Sequence, residues 1–321
     1  MEQLLVTGRG SELARRTAAE GVRVREIPWT VGLDPRAWWR LAAEARAWRP
    51  DLIHAHNSHA VTLAVWARGV LRRSRTDVAP RLVATRRAVF RVSPRSALRR
   101  VDAVIAISEA VRSTLLAAGF PPGSVTLVPS GIDPAEVRRA AAVPLGVRSR
   151  LGLPQRSPLA TNVAALEPPK DQRTLMHAAH AARSLRPDLH WVIAGDGPER
   201  RALAALLRRL DLEGCVHLLG HVAEADALLR ESDVVVMSSK EEGLGSVVLH
   251  ALALGKPVVA TRGGGLPEIV PPEWLVPVGD ADALARKVVE ALEHPSPFAL
   301  PPQFTAAAMA RGVLALYRTL L

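Results

Sequence analysis

Short apolar segments alternate with amphipathic helical stretches along the whole chain, and the series runs twice. In the first series Leu4–Thr7, Val22–Ile27, Leu52–His56, Leu82–Thr85, Val101–Ile107 and Val125–Val128 read as strands. In the second, Ala160–Ala165, Trp191–Ala194, Val216–Leu219, Val234–Met237 and Val258–Thr261 do so. Runs this short and this apolar are strands buried on both faces, and a sheet buried on both faces is a parallel sheet covered by helices. The reading is therefore α/β, with two doubly wound, Rossmann-like domains facing each other across a cleft. A Pro-, Gly- and Arg-rich stretch at Pro144–Pro158 marks the boundary. The expected organisation is residues 1–150, 151–300, and a C-terminal helix at 301–321 that packs back on the first domain.

Charge is unevenly placed. Residues 1–150 hold 25 Arg, no Lys and 12 acidic residues, a net +13, against a total of +11 for the chain. All the excess positive charge thus lies in the first half. Such a field favours an anionic partner, whether a membrane surface, a phosphorylated glycan or nucleic acid. Arg-rich composition without a partner gives the same count. Nucleic acid is disfavoured, because neither aromatic stacking motifs nor a recognition-helix pattern is present. The single cysteine, Cys215, cannot form an internal disulfide and suits a reducing compartment. No apolar run reaches the roughly 18–20 residues of a membrane span, and no basic head followed by an apolar stretch opens the chain. The expected localisation is cytoplasmic, with peripheral contact at the inner membrane face as the variant that the basic half suggests.

The most informative stretch is Ser238–Thr261, which reads as acidic glycine loop, helix, glycine stop and strand. Glycines in the loop let a ligand approach the backbone closely. The amides of Gly245, Ser246 and Val247 stand at a helix start, where they lack intrahelical partners and bind a diphosphate without a metal. Glu242 lies just before them, placed to accept hydrogen bonds from sugar hydroxyls. A plain helix N-terminus with acids set for its dipole has the same sequence.

This stretch resembles the nucleotide-sugar signature of the family-four retaining glycosyltransferases, which have the GT-B fold. That signature carries a Glu, seven residues and a second Glu; here the two positions hold Glu242 and His250. The resemblance implies donor binding by Gly243, Leu244, Gly245, Ser246 and Val247, with His250 at the ribose. Val163–Asp171 resembles the segment where an Arg and a Lys grip the diphosphate; Lys170 matches the Lys, and Ala165 stands at the Arg position. Gly195-Asp196-Gly197 resembles the family's turn after the next strand, and Thr261–Val270 its glycine loop near the cleft. In the first half, the strand ending in His54 and His56 corresponds to the family's histidine near the donor sugar, with His56 the first choice and His54 the reserve. His54 and His56 share a strand face, but no carboxylate follows at a useful spacing, so no metal site is expected. Arg86 and Arg87, after a strand end, together with Gly8 and Gly10 in the first turn, are the acceptor-side candidates. Members of the family begin with an extra strand, a Gly-Gly loop and a helix. Here Met1–Gly10 either stands in for that unit in shortened form or follows it.

The resemblance implies a retaining glycosyltransferase, acting without cofactor or metal, on a nucleotide-diphosphate sugar and a cell-surface glycan or lipid-linked acceptor, as in polysaccharide or lipopolysaccharide biosynthesis. His56, Glu242 and Lys170 would be its catalytic residues. Two alternatives stay open: a catalytically impaired nucleotide-binding remnant, favoured by His250 and Ala165, and a sugar-nucleotide epimerase of the same fold.

Overall fold

A computed structural model describes residues 2–28, 34–73, 79–295 and 298–321. The first half runs β1 (Leu4–Thr7), α1 (Glu12–Ala19), β2 (Arg23–Glu26), α2 (Pro35–Trp48), β3 (Leu52–Ala55), α3 (Ser58–Arg73), β4 (Arg81–Arg86), β5 (Ala103–Ala106), α4 (Glu109–Ala117), β6 (Val125–Leu127) and α5 (Pro134–Ala140). The second runs α6 (Val147–Arg150), β7 (Leu159–Val163), α7 (Gln172–Ala182), β8 (His190–Ala194), α8 (Arg200–Arg209), β9 (Val216–Gly220), α9 (Ala225–Glu231), β10 (Val234–Met237), α10 (Ser246–Ala253), β11 (Val258–Thr261), β12 (Leu275–Val276), α11 (Ala281–Glu293) and α12 (Ala306–Leu320).

Local chemistry explains most boundaries. Asp34 accepts a hydrogen bond from the Arg36 amide at 2.9 Å, with Pro35 at the first helical position, so α2 starts there. Ser108 and Thr305 cap α4 and α12 in the same way. The α5 helix and the two-residue β12 do not figure among the expected elements. The Asp133-Pro134 pair is a legible start signal for α5, whereas two residues of strand carry no periodicity at all.

Among the described residues every strand pairing is parallel. The second half forms one sheet in the order β12-β11-β10-β7-β8-β9. The chain winds outward from β7 in one direction through β8 and β9, and in the other from β10 through β11 and β12. The topological switch point therefore lies between β7 and β10, and open α/β sheets bind ligands beyond the strand ends at such a point. In the first half the strands fall into two sheets, β1-β2 and β3-β4-β5-β6. Among the described residues β3 is the outer strand of its sheet, and Val6 of β1 and Ile53 of β3 pack against one apolar cluster that includes residues of α2 and α3.

The largest core runs through both halves and includes Trp191, Leu203, Val235 and Leu249. A smaller core seats α12 on the first-half sheet, Leu316 packing with Val83, Ile105 and Val128. Ile132 bridges Thr305 in parallel, and a Cβ built on Gly131 would stand 2.2 Å from the Thr305 carbonyl oxygen. No helix among the described residues is long and apolar enough to cross a membrane.

The contact at Gly131 gives a direct test. Gly131→Ala forces the C-terminal segment off the first half, and overpacking of this kind costs about 1–3 kcal/mol. The urea midpoint should fall accordingly, while Gly123→Ala, where a Cβ meets nothing within 4 Å, should leave it unchanged.

Candidate functional site

The switch point brings together two loops that are 72 residues apart in the sequence. The chain leaves β7 through Ala164–Lys170 and leaves β10 through Ser238–Gly245. Ser238 and Ser239 are fully buried and serve as struts. Ser238 Oγ donates to the Lys170 carbonyl at 2.9 Å, the Lys240 amide donates to the Pro169 carbonyl at 2.8 Å, and Thr261 Oγ1 donates to the Ser239 carbonyl at 2.6 Å. These bonds set Lys170 Nζ 2.5 Å from Glu242 Oε2, with the two side chains 22% and 13% exposed. Lys170 and Glu242 thus form one ion pair at the mouth of the crevice, neither deeply buried nor freely solvated.

The glycine loop after β11 lies under this pair. Gly264, at φ +56°, would place a Cβ 2.0 Å from the Glu242 carbonyl oxygen, and Gly263 one 2.1 Å from that of Ser239. The Gly265 amide donates to the Glu242 carbonyl at 2.9 Å. Two backbones in contact leave no room for side chains, which is why this turn is made of glycine.

Beyond Glu242 the chain enters α10 through Gly245, at φ +100°. No side chain caps this helix, and its first turn carries no acidic residue. Among the described residues no hydrogen bond occupies the amides of Gly245, Ser246 or Val247. Their N–H groups, carrying the positive end of the helix dipole, are free to meet an anion. A cavity of about 380 Å³ opens at this point, with Ser246, Val247 and His250 on one side and Asp226 on another. His250 Nδ1 lies 2.6 Å from Asp226 Oδ1, so the ring turns its other nitrogen away from that carboxylate.

Gly195-Asp196-Gly197 packs against the first of these loops. A Cβ on Gly195 would stand 1.8 Å from the Ala164 carbonyl oxygen and one on Gly197 2.5 Å from that of Leu166. Asp196 Oδ1 accepts from the Gly197 amide at 2.8 Å. This turn shapes the segment that carries Lys170. Ala165 offers its carbonyl to Gln172 Nε2 at 3.0 Å and brings no charge.

The first half supplies the opposite wall. A Cβ on Gly243 would stand 2.0 Å from the Arg87 carbonyl oxygen, and buried Ser108 donates its hydroxyl to the Gly243 carbonyl at 2.5 Å. The Glu268 carboxylate accepts from the Glu109 and Ala110 amides at 2.8 and 2.9 Å, capping α4 from the other half. Arg87 also lowers the pKa values of His54 and His56, so its backbone meets the Glu242 loop at Gly243 while its charge acts on the histidines.

Arg86 plays a different part from Arg87. Its Nε donates to the Ala88 carbonyl at 2.9 Å and its Nη2 to the Phe90 carbonyl at 2.8 Å, stapling its own loop. Gly8 and Gly10 lie in the turn between β1 and α1, with open space around their Cα atoms. No described hydrogen bond ties them to the residues at the switch point.

His54 is held on both ring nitrogens. Nδ1 lies 2.5 Å from the Tyr317 hydroxyl and Nε2 2.7 Å from Thr85 Oγ1. Burial first, then His56 and Arg87, push its pKa from 6.5 to about 3. His56, at the exposed end of the strand, is also lowered, by desolvation and then by Arg87. Two partners of these groups escape sequence reasoning. Asp226 is 24 residues from His250 and Tyr317 is 263 from His54, and neither stands in a pattern that marks it. Among the described residues no group of three His, Cys, Asp or Glu is arranged to hold a metal ion.

The depressed His54 pKa has a consequence for stability. The folded state keeps the ring neutral while the unfolded chain takes up a proton below 6.5. This contribution is complete above that pH and is lost as pH falls from about 6.5 towards 3. Denaturation midpoints should decline over this range, and His54→Asn should flatten the decline; an equal slope in the variant would remove His54 as its source.

Comparison with known proteins identifies the family and the fold. Residues 3–136 match the family model for Glycosyltransferase Family 4, and residues 157–294 match that for Glycosyl transferases group 1. The chain is 30% identical over 210 residues, 63% of its length and 54% of the relative's, to a 2-deoxystreptamine glucosyltransferase of Streptomyces kanamyceticus. It is 29% identical over 204 residues, 60% of its length and 48% of the relative's, to a putative colanic acid biosynthesis glycosyltransferase of Salmonella typhimurium. These matches span about half the length of each relative. The crystal structure of Anabaena Alr3699/HepE in complex with UDP and glucose superposes with a TM-score of 0.76 over 99% of this chain and 91% of that one, at 21% identity. With both halves matched in order and the fold shared throughout, the chain belongs to the family-four glycosyltransferases and has their GT-B fold.

Proposed function

We propose that the chain transfers a sugar, with retention of configuration, from a nucleotide-diphosphate donor to a cell-surface glycan or lipid-linked acceptor. The observation that carries this reading is the unblocked head of α10 at the switch point, beside the Lys170–Glu242 pair. The diphosphate sits on the amides of Gly245, Ser246 and Val247, with Gly243 and Leu244 forming the approach. Lys170 exchanges part of its contact with Glu242 for the phosphate oxygens and neutralises charge as the nucleotide leaves. Glu242, relieved of that contact, accepts hydroxyls of the transferred sugar. His56 meets the sugar from the opposite wall, and Arg87 faces the acceptor. Charge neutralisation therefore falls to a cation and to peptide N–H groups, and no metal or cofactor is assigned a role.

The nucleoside occupies the cavity bounded by His250 and Asp226. Asp226 orients the imidazole, and the free ring nitrogen reaches one ribose hydroxyl. A single nitrogen replaces the two oxygens of a carboxylate, so nucleotide affinity is weaker than a Glu at this position would give. The complex of the Anabaena relative with UDP and glucose supports a nucleotide-sugar donor, and the Salmonella relative's description supports a polysaccharide product. The basic first half suits a peripheral position at the inner face of an anionic membrane.

His250 and Ala165 also support a second reading, a nucleotide-binding remnant without turnover. One experiment separates them. Calorimetry with UDP, GDP and ADP and their sugar conjugates should show micromolar binding of at least one, lost in Glu242→Ala. Release of the matching nucleoside diphosphate from the sugar conjugate, with water taking the sugar where no acceptor is supplied, should survive a chelator and be reduced about 100-fold or more in Lys170→Met. Binding without release supports the remnant; failure of every nucleotide to bind the folded protein removes both.

A further inference from the structure

The strand that carries His54, with His56 just past its end, is tied to the far end of the chain. α12 crosses onto the first-half sheet, where Leu316 packs on Val83 and Val128. From there Tyr317 points its hydroxyl at His54 Nδ1, 2.5 Å away, with its ring edge-on to the imidazole at 5.7 Å and 86°. Thr85 on the neighbouring strand takes Nε2 at 2.7 Å. A neutral imidazole has one donor and one acceptor, and two hydroxyls satisfy both whichever tautomer is present. Bonds to both nitrogens leave the ring no freedom to turn about χ2.

A third neighbour of that fixed ring is His56. The two imidazoles lie 4.1 Å apart at 34°, so His56 rests against a surface whose plane is set from behind. The titratable or charged groups that face this pair are Arg87 and Tyr317. Burial raises the Tyr317 pKa to about 12, which keeps the phenol protonated and able to hold its bond at any physiological pH.

We propose that Tyr317 is a positioning residue for His56, acting through the hydrogen bond of its hydroxyl to the His54 ring, so that one hydroxyl on the C-terminal helix sets the orientation of an imidazole at the cleft wall. The effect on catalysis rests on the reading in which His56 meets the donor sugar; the effect on the ring itself does not.

The test uses the full chain carrying Tyr317→Phe, which keeps the ring packing and removes the hydroxyl. The imidazole 1H–15N signals of His56 should shift, and kcat for the donor identified by calorimetry should fall about fivefold with KM within about twofold, the loss of one neutral hydrogen bond. Leu320→Ala, on the same helix, should lower the melting temperature and leave both the His56 signals and kcat in place. Should Tyr317→Phe fail to fold, Thr85→Val removes the other bond to the same ring and should move the same signals. His56 signals that coincide with wild type in either folded variant, or that move equally in Leu320→Ala, overturn the proposal. Shifted signals in a protein that turns over no nucleotide sugar leave the positioning role standing and sink only the catalytic reading.

Discussion

Gly245 decides whether this protein has a site at all. Its φ of +100° lets the chain turn into α10 without a capping side chain, and a side chain there would run into Leu266 Cδ2 at 2.8 Å. Most helices satisfy their first amides with a Ser, Thr, Asp or Asn at the cap, as α1, α2, α4 and α5 do here. At α10 that arrangement is missing, and the amides stay bare where the strand order reverses. An uncapped helix start costs stability, roughly the 0.5–2 kcal/mol a good cap supplies, and a ligand anion can return it.

The surrounding framework is almost entirely backbone. Gly263 and Gly264 press on the carbonyls of Ser239 and Glu242, Gly195 on that of Ala164, and Gly243 on that of Arg87. Contacts this close fix loop positions without relying on flexible side chains, so few polar side chains are left to react. Lys170 and Glu242 form a charged pair at the mouth of the crevice. Each holds the other in place, and in the proposed reaction a diphosphate and a sugar replace that contact. The same backbone contacts cross between the halves: Ser108 reaches the Gly243 carbonyl and Glu268 caps α4. The loop that carries Glu242 and the wall that faces it are therefore tied directly to each other.

Much of this was legible in the sequence because it follows from local rules. Alternating apolar runs and helices gave the parallel sheets, and the helix starts at Asp34, Ser108 and Thr305 follow from capping chemistry. The proximity of Glu242 to Lys170 came only from resemblance, since nothing local joins residues 72 apart. Long-range side-chain partners stayed hidden. Asp226 behind His250 and Tyr317 behind His54 depend on how helices pack, not on spacing. Arg86 shows the reverse: a basic residue at a strand end reads as a contact for an anion, yet two of its donor groups serve the carbonyls of Ala88 and Phe90. The split of the first-half strands into β1-β2 and β3–β6 is likewise a matter of tertiary packing. β2, with Arg23, Arg25 and Glu26 around Val24, is largely exposed, whereas β5 is buried throughout.

The central claim is that bare peptide N–H groups at the head of α10 hold the donor's diphosphate. The most direct measurement follows backbone 1H–15N signals of Ser246 and Val247 while UDP or GDP is added. The account predicts that these two amides shift most and become protected from solvent exchange as the nucleotide saturates. Saturable nucleotide binding that leaves both amides unmoved and unprotected, with changes gathered elsewhere, would contradict it.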